Sequence, residues 1–216
     1  MSKLCAKKIK LILFDVDGVL TDGKIWIFPA PAGARQSAAE PSASAEPSEA
    51  TSPEVGRGGR GSGFGFQSTS LIEAKGFHAH DGTAISLARL AGIKTGLITK
   101  RMSETVALRS RDLRMDYVYQ GKQDKLTVFR EILEKEGIAA AEAAFVGDDV
   151  IDLPVMRHCG LAIAVKNARP EVKAEAHWVT AHAGGDGTAR DAVEYILKAQ
   201  GKWKKAVEDY TSERGG

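Results

Sequence analysis

Ile9-Lys10-Leu11-Ile12-Leu13-Phe14-Asp15-Val16-Asp17-Gly18-Val19-Leu20-Thr21-Asp22-Gly23 is the stretch from which the fold is read. A short apolar run, residues 9–14, stops abruptly at two carboxylates and a glycine turn, which reads as a buried strand emptying into a loop. The same pattern recurs at 95–99, 117–120, 144–147 and 161–165, each an apolar run followed by a turn or polar residue. Between these strands the spacing predicts helices at 83–91, 103–113, 125–136 and 152–158, with a last one at 189–199. Alternation of this kind predicts an α/β chain, a Rossmann-like three-layer sandwich with a central parallel sheet and helices on both faces.

With 216 residues, 43% of them hydrophobic, the chain can bury one sizeable core. Thirty basic and 28 acidic residues leave a net charge of +2, too little to imply a field for nucleic acid or a membrane. Cys5 and Cys159 stand far apart without neighbouring ligand residues, which argues against a disulfide framework or a zinc site. The apolar run 9–14 is too short for a signal peptide or a membrane span, so the cytoplasm is the expected compartment.

Residues 29–66 interrupt the pattern with Ala, Pro, Ser and Glu and then Gly-Arg-Gly-Gly-Arg-Gly-Ser-Gly-Phe-Gly. So little apolar surface cannot offset the entropy of ordering it, and a disordered insertion is expected. The flanks 24–28 and 70–77 read as short strands, placing the insertion at the tip of a β-hairpin extension. The catalytic domain is then 1–28 with 67–200, and 201–216 a C-terminal tail. A role for the Arg-Gly run in binding nucleic acid is the rival from another class. It offers only Arg57 and Arg60, while Arg35 is offset by Glu40, Glu46, Glu49 and Glu54, so nucleic acid is not the expected partner.

Ligands of such sheets bind beyond the carboxyl ends of the strands. Asp15 and Asp17, Thr99, Lys125 and Asp148 all fall at that edge. With Asp149 and Asp152 they gather carboxylates that would repel one another unless a cation neutralised them, and oxygen donors of this kind suit Mg²⁺.

Asp15-Val16-Asp17-Gly18-Val19 and Gly147-Asp148-Asp149-Val150-Ile151-Asp152, each behind an apolar strand, with Thr99 and Lys125 between them, resemble the haloacid dehalogenase-like phosphatases. The resemblance covers nearly all of the chain outside 29–66. It implies that Asp15 attacks phosphorus to form a phosphoaspartate, and that Asp17 protonates the leaving alcohol and then activates water. Thr99 and Lys125 would hold the phosphoryl oxygens. Mg²⁺ would be bound by the Asp15 carboxylate, the Asp17 carbonyl and Asp148, with Asp152 in support. An aspartate two residues after the nucleophile suits an alkoxide leaving group, which needs a proton, and not a halide.

No folded cap domain fits between Asp22 and Thr99 or between Lys125 and Asp148. The segments 75–82, 119–125, 147–156 and 184–190 further resemble a capless branch of that family. The branch implies a homotetramer whose hairpins and C-terminal regions cover neighbouring sites. It implies a keto-acid sugar phosphate as substrate, 3-deoxy-D-manno-octulosonate 8-phosphate first and a nine-carbon sialic-acid-type 9-phosphate second. Lys75, His80, Arg101 and Arg190 are the candidates for the sugar acid, because a guanidinium can take a carboxylate bidentately. Three positions depart from the pattern: Lys100 replaces a glycine in Thr-Gly-Arg, Asp186 replaces an arginine in Gly-Gly-Arg-Gly, and His80 stands where arginine is frequent.

Overall fold

The computed structural model describes residues 2–29 and 71–214. The insertion and its Arg-Gly run, apart from Pro29, lie outside the described residues. Contacts divide the chain into a main unit, Met1–Trp26 with Glu73–Gly216, and a second unit, Ile27–Ile72.

In the main unit a short helix α1 (Ser2–Ala6) precedes β1 (Leu11–Phe14). Further on come α2 (Ala79–Leu90), β4 (Lys94–Ile98), α3 (Glu104–Asp112), β5 (Tyr117–Tyr119), α4 (Lys125–Glu136) and β6 (Ala143–Gly147). The chain continues through α5 (Leu153–Met156), β7 (Leu161–Ala164), α6 (Pro170–Glu175), β8 (Trp178–Val179), α7 (Thr188–Ala199) and α8 (Trp203–Arg214). The two strands expected beside the insertion, β2 (Trp26–Pro29) and β3 (Leu71–Ala74), form a separate two-stranded sheet. Trp26, Ile27, Phe28, Leu71 and Ile72 on it are exposed.

The six-stranded sheet runs β5-β4-β1-β6-β7-β8, and every pairing is parallel. All residues of β1, β6 and β7 are buried, as expected of strands covered on both faces by helices. From β1 the chain moves outward to β4 and β5, then crosses to β6 on the other side. The order therefore reverses at β1, and the crevice of a doubly wound sheet opens at its carboxyl end, where Asp15 stands.

The structure extends several expected elements. Helix α2 begins at Ala79 and not at residue 83, because the His78 ring nitrogen accepts the His80 N–H at 3.3 Å and caps an earlier start. Gly82, a poor helix former, is needed inside it, since a Cβ there would lie 2.6 Å from an Arg109 guanidinium nitrogen. The tail beyond residue 200 is largely helix α8, with Ala206 buried and Val207 and Tyr210 packed against the core. Trp203 is occupied within the chain, under the Arg190 guanidinium at 4.7 Å. The expected helix 125–136 is present as α4. Asp124 caps it by accepting the Leu126 and Thr127 N–H groups, both at 3.1 Å, and Gly137 closes it in the left-handed region. That cap fixes Lys125 at the first helical position, facing inward.

Candidate active site

Residues 15–21 leave β1 as a tight turn. Asp15 donates its backbone N–H to the Val146 carbonyl at 3.0 Å, and Thr21 closes the turn on the Val16 carbonyl through both its N–H and its hydroxyl. Gly18 sits at φ 95°, and a Cβ there would stand 2.2 Å from Asp148 Oδ2. Only glycine lets the turn come this close to the β6 loop.

At the centre lies Lys125, 2% exposed, with Nζ 2.7 Å from Asp15 Oδ1 and 2.7 Å from Asp152 Oδ1. Burial works against its ammonium form, but the carboxylates of Asp152 and Asp15 outweigh that and raise its pKa. The second Asp152 oxygen accepts the Asp148 N–H at 3.0 Å, so both of its oxygens are engaged in organising the site. Asp148 Oδ1, by contrast, is buried without a hydrogen-bond partner.

Carboxylate oxygens of Asp15, Asp148 and Asp152 lie within 4.8 Å of one another. Burial, then the nearby Asp152 carboxylate, pushes Asp15 up to about 6 against the pull of Lys125. Burial, then Asp152 and Asp15, pushes Asp148 up to about 7. An orphaned buried oxygen, an all-oxygen donor set and mutual repulsion fit a hard divalent cation such as Mg²⁺.

A pH dependence follows. Both carboxyls hold their protons more tightly folded than unfolded, so ionising them costs stability that is recovered as pH falls through 7 and 6. Because a cation needs the ionised forms, Mg²⁺ affinity by calorimetry is expected to be at least about tenfold weaker at pH 5.5 than at pH 7.5. The thermal stabilisation given by Mg²⁺ should shrink in parallel. Affinity independent of pH over that range would contradict this reading.

Asp17 is held from the other side. Lys75, whose side chain is fully buried, forms a short hydrogen bond to Asp17 Oδ1, and Arg101 Nε stands 3.7 Å from Oδ2. Glu73 joins them, 3.9 Å from Lys75 Nζ and 3.7 Å from an Arg101 guanidinium nitrogen. In the sequence Glu73 carries a single signal, the two-residue spacing to Lys75, which puts both on one side of an extended chain. Lys75 thus contacts the candidate acid/base residue itself.

Thr99 is buried just past β4, and its hydroxyl accepts the Arg101 N–H at 3.4 Å. The Lys100 departure costs no strain: among the described residues the only non-glycine with positive φ is Arg114. Two further candidates have other contacts. His80 is exposed in the first turn of α2, edge-on to His78. Arg190 donates to Glu194 at 3.2 Å while lying over Trp203. Cys159 is buried, and burial pushes its thiol up to about 12.

A family model described as haloacid dehalogenase-like hydrolase matches residues 91–190. The 3-deoxy-D-manno-octulosonate 8-phosphate phosphatase KdsC of Escherichia coli (strain K12) is 34% identical over 201 residues, covering 93% of this chain and 86% of that protein. The crystal structure of the phosphatase of that name from Yersinia pestis superposes with a TM-score of 0.73 at 30% identity, covering 94% of this chain and 88% of that one. The Moraxella catarrhalis enzyme, solved in complex with a magnesium ion, a phosphate ion and a KDO molecule, gives a TM-score of 0.73 at 28% identity, covering 96% of this chain and 97% of its own.

Proposed function

Since the chain belongs to the haloacid dehalogenase-like hydrolases, we propose that it is a Mg²⁺-dependent phosphomonoesterase acting on 3-deoxy-D-manno-octulosonate 8-phosphate. The observation that carries this reading is Lys125 bridging Asp15 and Asp152 beside the unpartnered oxygen of Asp148.

Asp15 attacks phosphorus in line as the bond to the sugar oxygen breaks, and Asp17 gives that oxygen its proton. Water then loses a proton to Asp17 and attacks the same phosphorus, releasing phosphate and restoring Asp15. The Asp15 carboxylate, the Asp17 carbonyl and Asp148, with Asp152 in support, would hold Mg²⁺, which would offset the repulsion between a carboxylate and a phosphate dianion. Lys125 and the Thr99 hydroxyl supply positive potential and a donor for the phosphoryl oxygens. Lys75 and Arg101 orient Asp17 from its far side.

For the substrate's carboxylate the best-supported cation is Arg101, half exposed and held to Asp17 and Glu73 only at 3.7 Å. The exposed apolar residues of β2 and β3 support a homotetramer in which these ribbons and the C-terminal regions cover neighbouring sites. Among the described residues no helix is long and apolar enough to cross a membrane.

Turnover of the eight-carbon 8-phosphate and a nine-carbon keto-acid 9-phosphate, measured side by side with Mg²⁺, tests the substrate. A higher kcat/KM for the eight-carbon ester is expected. Preference for the nine-carbon ester, or comparably poor rates on both, would overturn the assignment.

A further inference from the structure

Asp81, 4% exposed on α2, has no part in the chemistry at Asp15. Its Oδ1 accepts the Arg190 backbone N–H at 2.9 Å; burial raises its pKa, against the opposing pull of the backbone N–H groups of Arg190, Gly187 and Ala189. These groups open α7, whose N-cap is Gly187, with φ 96° and no side chain to cap with. Asp81 therefore supplies, from a different helix, the capping oxygen that the local sequence lacks. Its other oxygen is buried without a partner, a cost that stability alone would select against.

Just before that cap, the chain lies against the nucleophile turn with no side chain between them. Gly185 donates its N–H to the Val19 carbonyl at 2.8 Å, and Asn167 Oδ1 accepts the Gly184 N–H at 2.9 Å. A Cβ on Gly184 would fall 1.6 Å from the Gly18 carbonyl oxygen, and one on Gly185 would fall 2.3 Å from the Asp22 nitrogen. Two glycines are thus what allow backbone to press on backbone.

We propose that Asp81 is a positioning residue: by capping α7 from α2 it fixes residues 184–187 as a backbone wall that holds the turn carrying Asp15 and Asp17 in reacting geometry. The proposal rests on the reading of Asp15 as the nucleophile. Asp81 touches no reacting atom, so it acts on rate through placement, where errors of about 1 Å can cost on the order of a hundredfold.

Steady-state kinetics with the 8-phosphate, together with amide hydrogen exchange on the substrate-free protein, test this. Asp81→Ala should lower kcat about tenfold or more with KM within about twofold, and should speed exchange in residues 16–22 while leaving β7 unchanged. Asp81→Asn, which keeps an acceptor oxygen, should recover most of kcat. Gly184→Ala should give the same signature from the other end. The double variant should be no slower than the slower single one, since both break one linkage.

A kcat within about twofold of wild type in folded Asp81→Ala, losses that multiply in the double variant, or faster exchange confined to 187–191 would overturn the proposal. Should Asp81→Ala not fold, Asp81→Ser, too short to reach Arg190, takes its place under the same criteria. Exchange is read without substrate, so an incorrect substrate assignment leaves this test decisive.

Discussion

Asp15→Asn is expected to abolish turnover, by on the order of 10⁴-fold or more, while leaving the fold intact. An amide of the same shape cannot form the acyl phosphate, and the other acids of the site have other tasks: Asp148, with its unpartnered oxygen, is assigned to the cation. Asp17 is engaged by Lys75 and Arg101, and Asp152 by Lys125 and the Asp148 N–H. The variant also carries a signature that separates chemistry from unfolding. In wild type the Asp15 carboxyl is pushed up to about 6, so its ionised form costs stability at neutral pH. Replacing it by a neutral amide removes that cost, and the unfolding midpoint at pH 7.5 should not fall. Inactivity with a lowered midpoint would instead mark Asp15 as a structural residue.

Lys125→Ala should damage both activity and stability. The ammonium is the only cation among the described ion pairs that reaches Asp15, and it holds Asp152 at the same 2.7 Å. Removing one partner from a buried, hydrogen-bonded ion cluster leaves uncompensated carboxylates and typically costs about 3–5 kcal/mol. The loss of a phosphoryl-oxygen donor should lower kcat by roughly a hundredfold or more. The stability deficit must depend on pH. Without the ammonium, Asp15 holds its proton still more tightly, so the deficit is largest above the variant's raised pKa, shrinks as pH falls towards about 6, and is smallest below that, where the carboxyl is neutral in both proteins. Urea unfolding at pH 7.5 and 5.5 reads this directly. An equal deficit at both values would mean that Lys125 acts by packing and not by charge.

Much of this architecture was legible because burial on both faces leaves a plain mark. Strands β1, β6 and β7 are uninterrupted apolar runs, and β1 and β6 end directly at the site carboxylates Asp15 and Asp148. Helix α4 was legible to the residue because Asp124 and Gly137 punctuate it. The elements that escaped sequence reading lack such marks. In α8 the residues are mostly polar and Ala206 is buried, so tertiary docking and not periodicity holds it in place. Strand β8 has two residues, too few for any pattern. The start of α2 was hidden by Gly82, whose missing Cβ serves the Arg109 contact and not a turn.

At the site, the acidic and basic groups at strand ends could be named, but their pairing could not. That Lys75 meets Asp17, that Glu73 joins them, and that Arg190 lies over Trp203 depend on side-chain direction across segments far apart in the chain. Asp81 was visible only as part of a motif. Its partner is a helix N-terminus more than a hundred residues away.

Passage of phosphorus through the Asp15 carboxylate can be read by trapping the intermediate. Borohydride added during turnover with Mg²⁺ reduces an aspartyl phosphate to homoserine, which peptide mass spectrometry can locate. Homoserine is expected at position 15, dependent on substrate and absent from Asp15→Asn. Reduction at Asp17 or Asp148, or sustained turnover in Asp15→Asn, would contradict it.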